Sequence, residues 1–260
     1  MVLFVSEFRP DSCVVAEVRA SPNHGERNGN VKPDMLVLHY TGMADAKEAV
    51  HRLCSESSKV SSHYIVLEDG HIIQSVPESR RAWHAGESSW SGETDLNSRS
   101  IGIEIANPGH DHGYPEFPRR QIAAVTALCR SIFTRHRIPA DRVVAHSDIA
   151  PSRKKDPGEK FPWKSLHDSG IGLWIKPVPV VADGPIFVLG DSNPGIKELQ
   201  ELFARYGYGV LATGQFDSTT HDVVTAFQRH FRPAKVDGIA DVSTIETLRT
   251  LLRARDGATS

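Results

Sequence analysis

Five short segments in the first 150 residues are rich in apolar, β-branched side chains, and this pattern predicts strands. They cover residues 34–40, 62–67, 71–76, 99–106 and 141–146. Between the second and third lies the stretch Glu68-Asp69-Gly70, which is typical of a tight hairpin turn.

Helices are predicted over residues 44–54 and 118–136. In the longer segment the apolar positions 122, 125, 129, 132 and 133 form one stripe of helical period, and Pro118 suits a first helical turn. Because strands and helices interleave, the segment ending near Ile175 predicts an α/β domain with a mixed central sheet flanked by helices.

Residues 176–185 contain three prolines and no helical pattern, which predicts a stiff linker. Three helix candidates follow, and two of them begin with the same G-x-x-D-x-x-T pattern, starting at Gly214 and Gly238. In each, the aspartate (Asp217, Asp241) is a candidate N-cap. We therefore expect a larger, catalytic domain over residues 1–178, a linker over 179–186 and a small three-helix domain over 187–255.

Composition narrows the function classes. The 260 residues carry a net charge of -2, which gives no indication of a nucleic-acid partner. No apolar run reaches the roughly 20 residues that span a bilayer. The first residues lack a basic leader, which favours a cytoplasmic location, with a periplasmic protein that has lost its leader as the alternative. Three cysteines without C-x-x-C spacing predict reduced, buried thiols.

Two predicted strands end in histidines, His39 and His146, and Asp156 follows on a proline-rich loop. Two histidines and one carboxylate form a ligand set for catalytic zinc, with the fourth position left to water. Taken singly, each histidine is more typical of a packed strand residue and the aspartate of a turn. A rival pair, His110 and His112, lies in a Gly/Pro-rich loop and is expected to be solvated.

Glu104 shares one strand face with two small residues, Gly102 and Ala106, which leaves space around its carboxylate. Beside a metal-bound water it would be a general base; without a metal it would be a solvent-facing strand residue. Lys154 lies two residues before Asp156, so the loop would bring it to the same metal as an oxyanion-stabilising cation. The alternative for Lys154 is a solvated member of the basic run 153–155.

Four motifs, LVLHYTG, SSHYIVLEDGHIIQSVPESRRAWHAG, SIGIEIANPG and VVAHSDIAPSRKKDPGEKFPW, occur in order over residues 30–170. Together they resemble the zinc-dependent N-acetylmuramoyl-L-alanine amidases, the type-2 amidases. The resemblance implies the type-2 amidase fold and cleavage of the amide between N-acetylmuramic acid and L-alanine. It also implies ligation of Zn²⁺ by His39, His146 and Asp156, and catalysis by Glu104 and Lys154.

Substrate contacts are expected from His84 in the WHAG motif, and from Tyr40 and Asn107. The expected partner is peptidoglycan or a muropeptide, either polymeric wall or soluble anhydro-muropeptide, and the oligomeric state is left open. Since the catalytic candidates all precede the linker, a chain ending near Ile175 is expected to fold and to hydrolyse small muropeptides.

The C-terminal segment resembles the small three-helix peptidoglycan-binding domain, although residues 231–235 depart from its pattern. Two other functions compete with the amidase. One is a non-catalytic peptidoglycan-recognition protein, against which the complete ligand set weighs. The other is a zinc cell-wall peptidase, which would need a different ligand motif.

Overall fold

The computed structural model describes residues 8–181, 184 and 186–258. The strands are Glu17–Val18 (β1), His24–Gly25 (β2), Met35–Tyr40 (β3), Tyr64–Val66 (β4), Ile72–Gln74 (β5), Arg81–Ala82 (β6), Ser100–Ile105 (β7) and Val143–Ala145 (β8). The α-helices are Ala46–Cys54 (α1), Leu96–Arg99 (α2), Arg119–Phe133 (α3), His146–Ile149 (α4), Trp163–His167 (α5), Pro194–Tyr206 (α6), Ser218–Phe231 (α7) and Val242–Ala258 (α8).

Six strands form one mixed sheet in the order β1-β5-β4-β7-β3-β8. Only β4 and β5 pair antiparallel within it, as the predicted hairpin requires, and the other neighbours run parallel. The remaining strands, β2 and β6, form a separate antiparallel pair. The predicted mixed α/β class is therefore confirmed.

Strand β3 lies between β7 and β8 and is buried on both faces. Leu36 and Leu38 pack into a core that includes the predicted apolar stripe of α3, whereas Met35 and Val37 point to the opposite face. Because side chains alternate along a strand, His39 lies on the same face as Met35 and Val37.

The last predicted strand is shorter than expected. We predicted that it ends at His146, but β8 ends at Ala145 and His146 opens the short helix α4. The turn forms here because the carboxylate of Asp148 accepts a hydrogen bond from the backbone N–H of Ala145 at 2.8 Å. An aspartate that bonds the backbone at the start of a helix favours this change of direction.

The C-terminal unit consists of α6, α7 and α8, in agreement with the three predicted helices. Both predicted caps are confirmed: Asp217 accepts from the N–H of Thr220, and Asp241 accepts from the N–H of Thr244, each at 2.8 Å. The predicted linker lies partly outside the described residues, at 182, 183 and 185. Just before it, Val178 is hydrogen-bonded to α8 through two side-chain hydroxyls.

Within the described part of the chain, no helix is long and apolar enough to cross a membrane. All three cysteines are free thiols, as expected, but only Cys129 is buried, whereas Cys13 is exposed.

Candidate active site

The carboxyl ends of β3 and β8 meet at one edge of the sheet. Leu38 and Ala145 are register partners in these parallel strands, so His39 and His146 are the next residue on each. The loop after α4 returns to the same place, because the N–H of Ser147 donates to the carbonyl of Asp156 at 3.0 Å. The topology therefore brings two histidines and one aspartate together across more than a hundred residues.

Three donor atoms converge at this edge. The Nδ1 atoms of His39 and His146 lie 2.9 Å apart, and Oδ2 of Asp156 lies 3.1 Å from the first and 3.0 Å from the second. Ligands at 2.0–2.1 Å from a tetrahedral zinc ion are separated by about 3.3 Å. All three side chains are buried, and their donor set therefore fits a zinc ion.

Hydrogen bonds fix which nitrogen of each histidine faces this point. Nε2 of His146 donates to the carbonyl of Ala85 at 3.1 Å. The hydroxyl of Ser100 donates to the carbonyl of Leu96, so its Oγ accepts from Nε2 of His84 at 3.1 Å. Nδ1 of His84 is then the acceptor for Nε2 of His39, at 3.0 Å. Because both Nε2 atoms carry the protons, both Nδ1 atoms are left with a lone pair for a metal.

The charges at the site suit this assignment. Burial, together with the nearby His146, lowers the pKa of His39 to about 4, so His39 is a neutral ligand at pH 7. Burial alone would raise the pKa of Asp156, but His146 and His39 outweigh it and hold that pKa well below its usual range. The ligand set thus contains a neutral imidazole at His39 and an ionised carboxylate at Asp156.

Glu104 lies beside the three ligand candidates. It is the register partner of His39 across β7 and β3, so the two side chains extend from the same face of the sheet. Its Oε2 is buried and has no hydrogen-bond partner. Burial, and next the negative charge of Asp156, raise the pKa of Glu104 well above its ordinary value. The carboxyl group therefore combines a free oxygen with a raised proton affinity.

The space that the sequence predicted next to Glu104 is occupied by His84. A Cβ atom at Gly102 would lie 2.5 Å from Cγ of the His84 ring. His84 is 8% exposed and donates to Ser100 on the same strand. His84 thus accepts the hydrogen bond that orients His39, a role that the sequence alone did not indicate. The available signal was Gly102, because a glycine inside a buried strand often marks a close approach of another group.

Gly102→Ala is expected to weaken zinc binding by roughly 10–100-fold, the usual cost of disturbing a partner of a metal ligand. The new methyl group would push the His84 ring from the strand and remove the acceptor for Nε2 of His39. Chelator competition measures this affinity. Gly25→Ala is a matched control, because a Cβ at Gly25 would meet nothing within 4 Å. Equal zinc affinity in the two variants would show that the His84 contact is dispensable.

A cavity of about 420 Å³ reaches two of the ligand candidates, His146 and Asp156. Tyr40, His84, Glu104 and Lys154 are also among its lining residues. Lys154 is half-buried, and within the described residues its side chain has no hydrogen bond or ion pair, so the ammonium group is available to a substrate. The hydroxyl of Tyr40 forms a hydrogen bond with Nδ1 of His110 at 3.0 Å. Burial raises the pKa of Tyr40 to about 12.

Asn107 is placed differently from the other candidates. Its amide donates to the carbonyl of Pro115 and accepts from the N–H of Gly109, both at 2.9 Å, and its side chain is 3% exposed. These bonds shape the loop after β7. Contact between Asn107 and the substrate stays a prediction.

The two histidines of the rival pair, His110 and His112, differ in their surroundings. His112 is exposed, as predicted. His110 is packed rather than solvated: its ring stacks on Tyr114 at 4.2 Å, and its Nε2 lies 3.1 Å from Glu159. His110 thus supports Tyr40 at the rim of the cavity.

A mixed α/β sheet that collects two histidines, one aspartate and an unpartnered glutamate at one edge defines the class of the metal-dependent hydrolases. Comparison with known proteins gives the family. The N-acetylmuramoyl-L-alanine amidase family model matches residues 29–159, and a peptidoglycan binding domain model matches residues 192–248.

Two similar proteins share most of the chain. N-acetylmuramoyl-L-alanine amidase AmiD of Escherichia coli (strain K12) is 40% identical over 237 residues, covering 84% of this chain and 82% of AmiD. The structure of E. coli AmiD with anhydro-N-acetylmuramic acid-L-Ala-D-gamma-Glu-L-Lys matches with a TM-score of 0.74 and 36% identity, over 89% of this chain and 98% of that one. AmpDh3 of Pseudomonas aeruginosa, in complex with anhydromuramic pentapeptide, matches with a TM-score of 0.70 and 33% identity, over 91% and 95%.

The chain belongs to the N-acetylmuramoyl-L-alanine amidase family and hydrolyses the amide bond that joins N-acetylmuramic acid to L-alanine. This family depends in general on zinc, and the group formed by His39, His146 and Asp156 is the one within the described residues that could hold a metal ion.

Proposed function

We propose that His39, His146 and Asp156 hold one zinc ion, with which the chain hydrolyses its amide substrate. The observation that carries this proposal is the convergence of three donor atoms 2.9–3.1 Å apart, with the other nitrogen of each histidine committed to a hydrogen bond. A zinc ion bound there supplies an acidified water and polarises the substrate carbonyl.

Glu104 and Lys154 then divide the remaining work. Glu104 accepts the proton of the attacking water through its unpartnered oxygen and returns a proton to the leaving amine nitrogen of L-alanine. The water oxygen bonds to the lactyl carbonyl carbon and the C–N bond breaks, which leaves a carboxylate on the sugar and a free amine on the peptide. Lys154 stabilises the oxyanion that forms between these steps.

For the substrate we propose soluble anhydro-muropeptides as one accepted class. The support comes from E. coli AmiD and P. aeruginosa AmpDh3, whose structures hold anhydromuramyl peptides. The peptidoglycan-binding domain at residues 192–248 supports polymeric wall as a second class. Substrate contact by His84 and Tyr40, the domain limits at 178 and 187, and a cytoplasmic location stay predictions.

Removal of the metal tests the proposed function. A chelator should abolish release of the intact stem peptide from a soluble anhydro-muropeptide, and stoichiometric zinc should restore it, because the three ligands are all buried protein groups. Mass spectrometry of the products and metal analysis of the protein measure the two effects.

The same experiment separates the alternatives. A recognition protein would bind the muropeptide and release nothing, and a peptidase would leave L-alanine attached to the sugar. Full activity in a protein shown to be free of metal would contradict the proposal. Magnesium in place of zinc serves as the control, since its preference for oxygen ligands disfavours this site.

A further inference from the structure

A buried carboxylate lies two residues after the proposed ligand His146. Asp148 is fully buried and accepts three hydrogen bonds. One comes from its own segment, the N–H of Ala145 at 2.8 Å. A buried carboxylate is costly unless donors satisfy it, so the source of the other two bonds determines what holds this turn.

Both remaining donors belong to the C-terminal helical unit. The hydroxyl of Tyr208, just after α6, donates to Oδ1 of Asp148 at 2.7 Å, and Nδ1 of His230, on α7, donates to Oδ2 at 2.7 Å. Charge-assisted bonds of this length are among the stronger ones in proteins. The helical unit thus completes a polar centre that begins in the catalytic sheet.

Packing fixes these two donors in place. The ring of His230 lies between Trp163 at 3.7 Å and Phe231 at 3.8 Å, stacked on both. The ring of Tyr208 meets Trp90 edge-on at 5.0 Å. One continuous apolar cluster joins the sheet face at Met35 and Val37 to the inner sides of α6, α7 and α8. The donors therefore cannot follow Asp148 if it moves.

The turn held by Asp148 carries the proposed metal ligands. Ala145, whose N–H bonds to Asp148, directly precedes His146. Ser147 in turn bonds the carbonyl of Asp156. A shift of the α4 turn would therefore displace two of the three ligands together.

We propose that Tyr208 and His230 are positioning residues of the amidase, which act through Asp148 on the turn that carries His146. The C-terminal unit is then a structural part of the metal centre, in addition to any contact with the cell wall. The inference rests on the proposed zinc ligation, but part of its test needs no metal.

Tyr208→Phe in the full-length chain is the principal test, because it removes one hydroxyl and keeps the ring. We expect zinc affinity, measured by chelator competition, to fall about tenfold, at the lower end of what distant ligand supports contribute. The kcat for a soluble muropeptide should fall with little change in KM. In the zinc-free protein, hydrogen exchange of the backbone amides at 145–149 should become faster.

Tyr206→Phe is the matched control. Tyr206 lies in the same core, 3% exposed, and its hydroxyl makes no hydrogen bond to Asp148 among the described residues. We expect wild-type zinc affinity and wild-type exchange at 145–149. An equal effect from both variants would assign the change to the core in general and overturn the inference.

Substitutions at His230 test the second donor. His230→Asn keeps an N–H close to the position of Nδ1 and should retain most of the zinc affinity. His230→Leu has no donor and should bind zinc more weakly. If His230→Leu does not fold, Tyr208→Phe decides alone. Wild-type affinity and exchange in Tyr208→Phe would overturn the inference and leave the proposed ligands untouched. Failure of the ligands themselves would appear instead as zinc retained without His39.

Discussion

His39→Ala is expected to lose zinc and, with it, hydrolysis. Nδ1 of His39 lies within about 3 Å of both other donor atoms, so its removal leaves two ligands where catalytic zinc sites have three. Activity should approach the uncatalysed level, a loss of at least about 10⁴-fold given that enzymes accelerate reactions by 10⁶ or more. Metal analysis after dialysis and product release from a muropeptide measure the two effects.

His112→Ala provides the control, since His112 is an exposed histidine outside the group of His39, His146 and Asp156. It should hold zinc and retain activity. Thermal unfolding of both variants, without zinc, separates loss of the metal from loss of the fold. A His39→Ala protein with full zinc occupancy would remove His39 from the ligand set.

Much of the fold was predictable because its long elements have clear periods. The buried run of β3 and the stripe of α3 both lie where the apolar pattern placed them. The strands β1, β2 and β6 were missed, because two residues carry no period at all. The end of β8 was missed by one residue, because the Asp148 side chain turns the backbone there.

The candidate site was predictable from the residue types at strand ends, as parallel strands present their carboxyl ends at a common edge. His39, His146 and Asp156 lie together as expected. The hydrogen bonds from His39 through His84 to Ser100 were not predictable. They depend on the ring of His84, which packs against Gly102 in β7. Spacing in the sequence carries no such information.

Nothing in the sequence indicated that the catalytic sheet and the C-terminal helices share one apolar cluster. The sequence suggested that a chain ending near Ile175 would fold and act alone. It stays a prediction, and the structure shows what such a chain would lack: the apolar face around Trp90 would be exposed, and Asp148 would keep one of its three donors. A proline-rich segment separates helices along the chain, but it does not show whether the units it joins share a core.

Glu104 is expected to act on the reaction rather than on the metal. It lies on β7, beside His39, yet its free oxygen bonds none of the three proposed ligands among the described residues. Glu104→Gln should therefore bind zinc like the wild type and fold normally. Because the amide of glutamine cannot accept the proton of a water, hydrolysis should fall by about 10²–10⁴-fold.

The loss in Glu104→Gln should appear in kcat and leave KM nearly unchanged, since proton removal occurs on the way to the transition state and contributes little to holding the substrate. Steady-state kinetics with a soluble muropeptide, alongside metal analysis, provides both measurements. Glu116→Gln changes an exposed carboxylate of the segment between β7 and α3 and should match the wild type in both. If Glu104→Gln kept its zinc and hydrolysed at the wild-type rate, the buried carboxyl group would have no part in proton transfer, and another group would have to accept the proton of the attacking water.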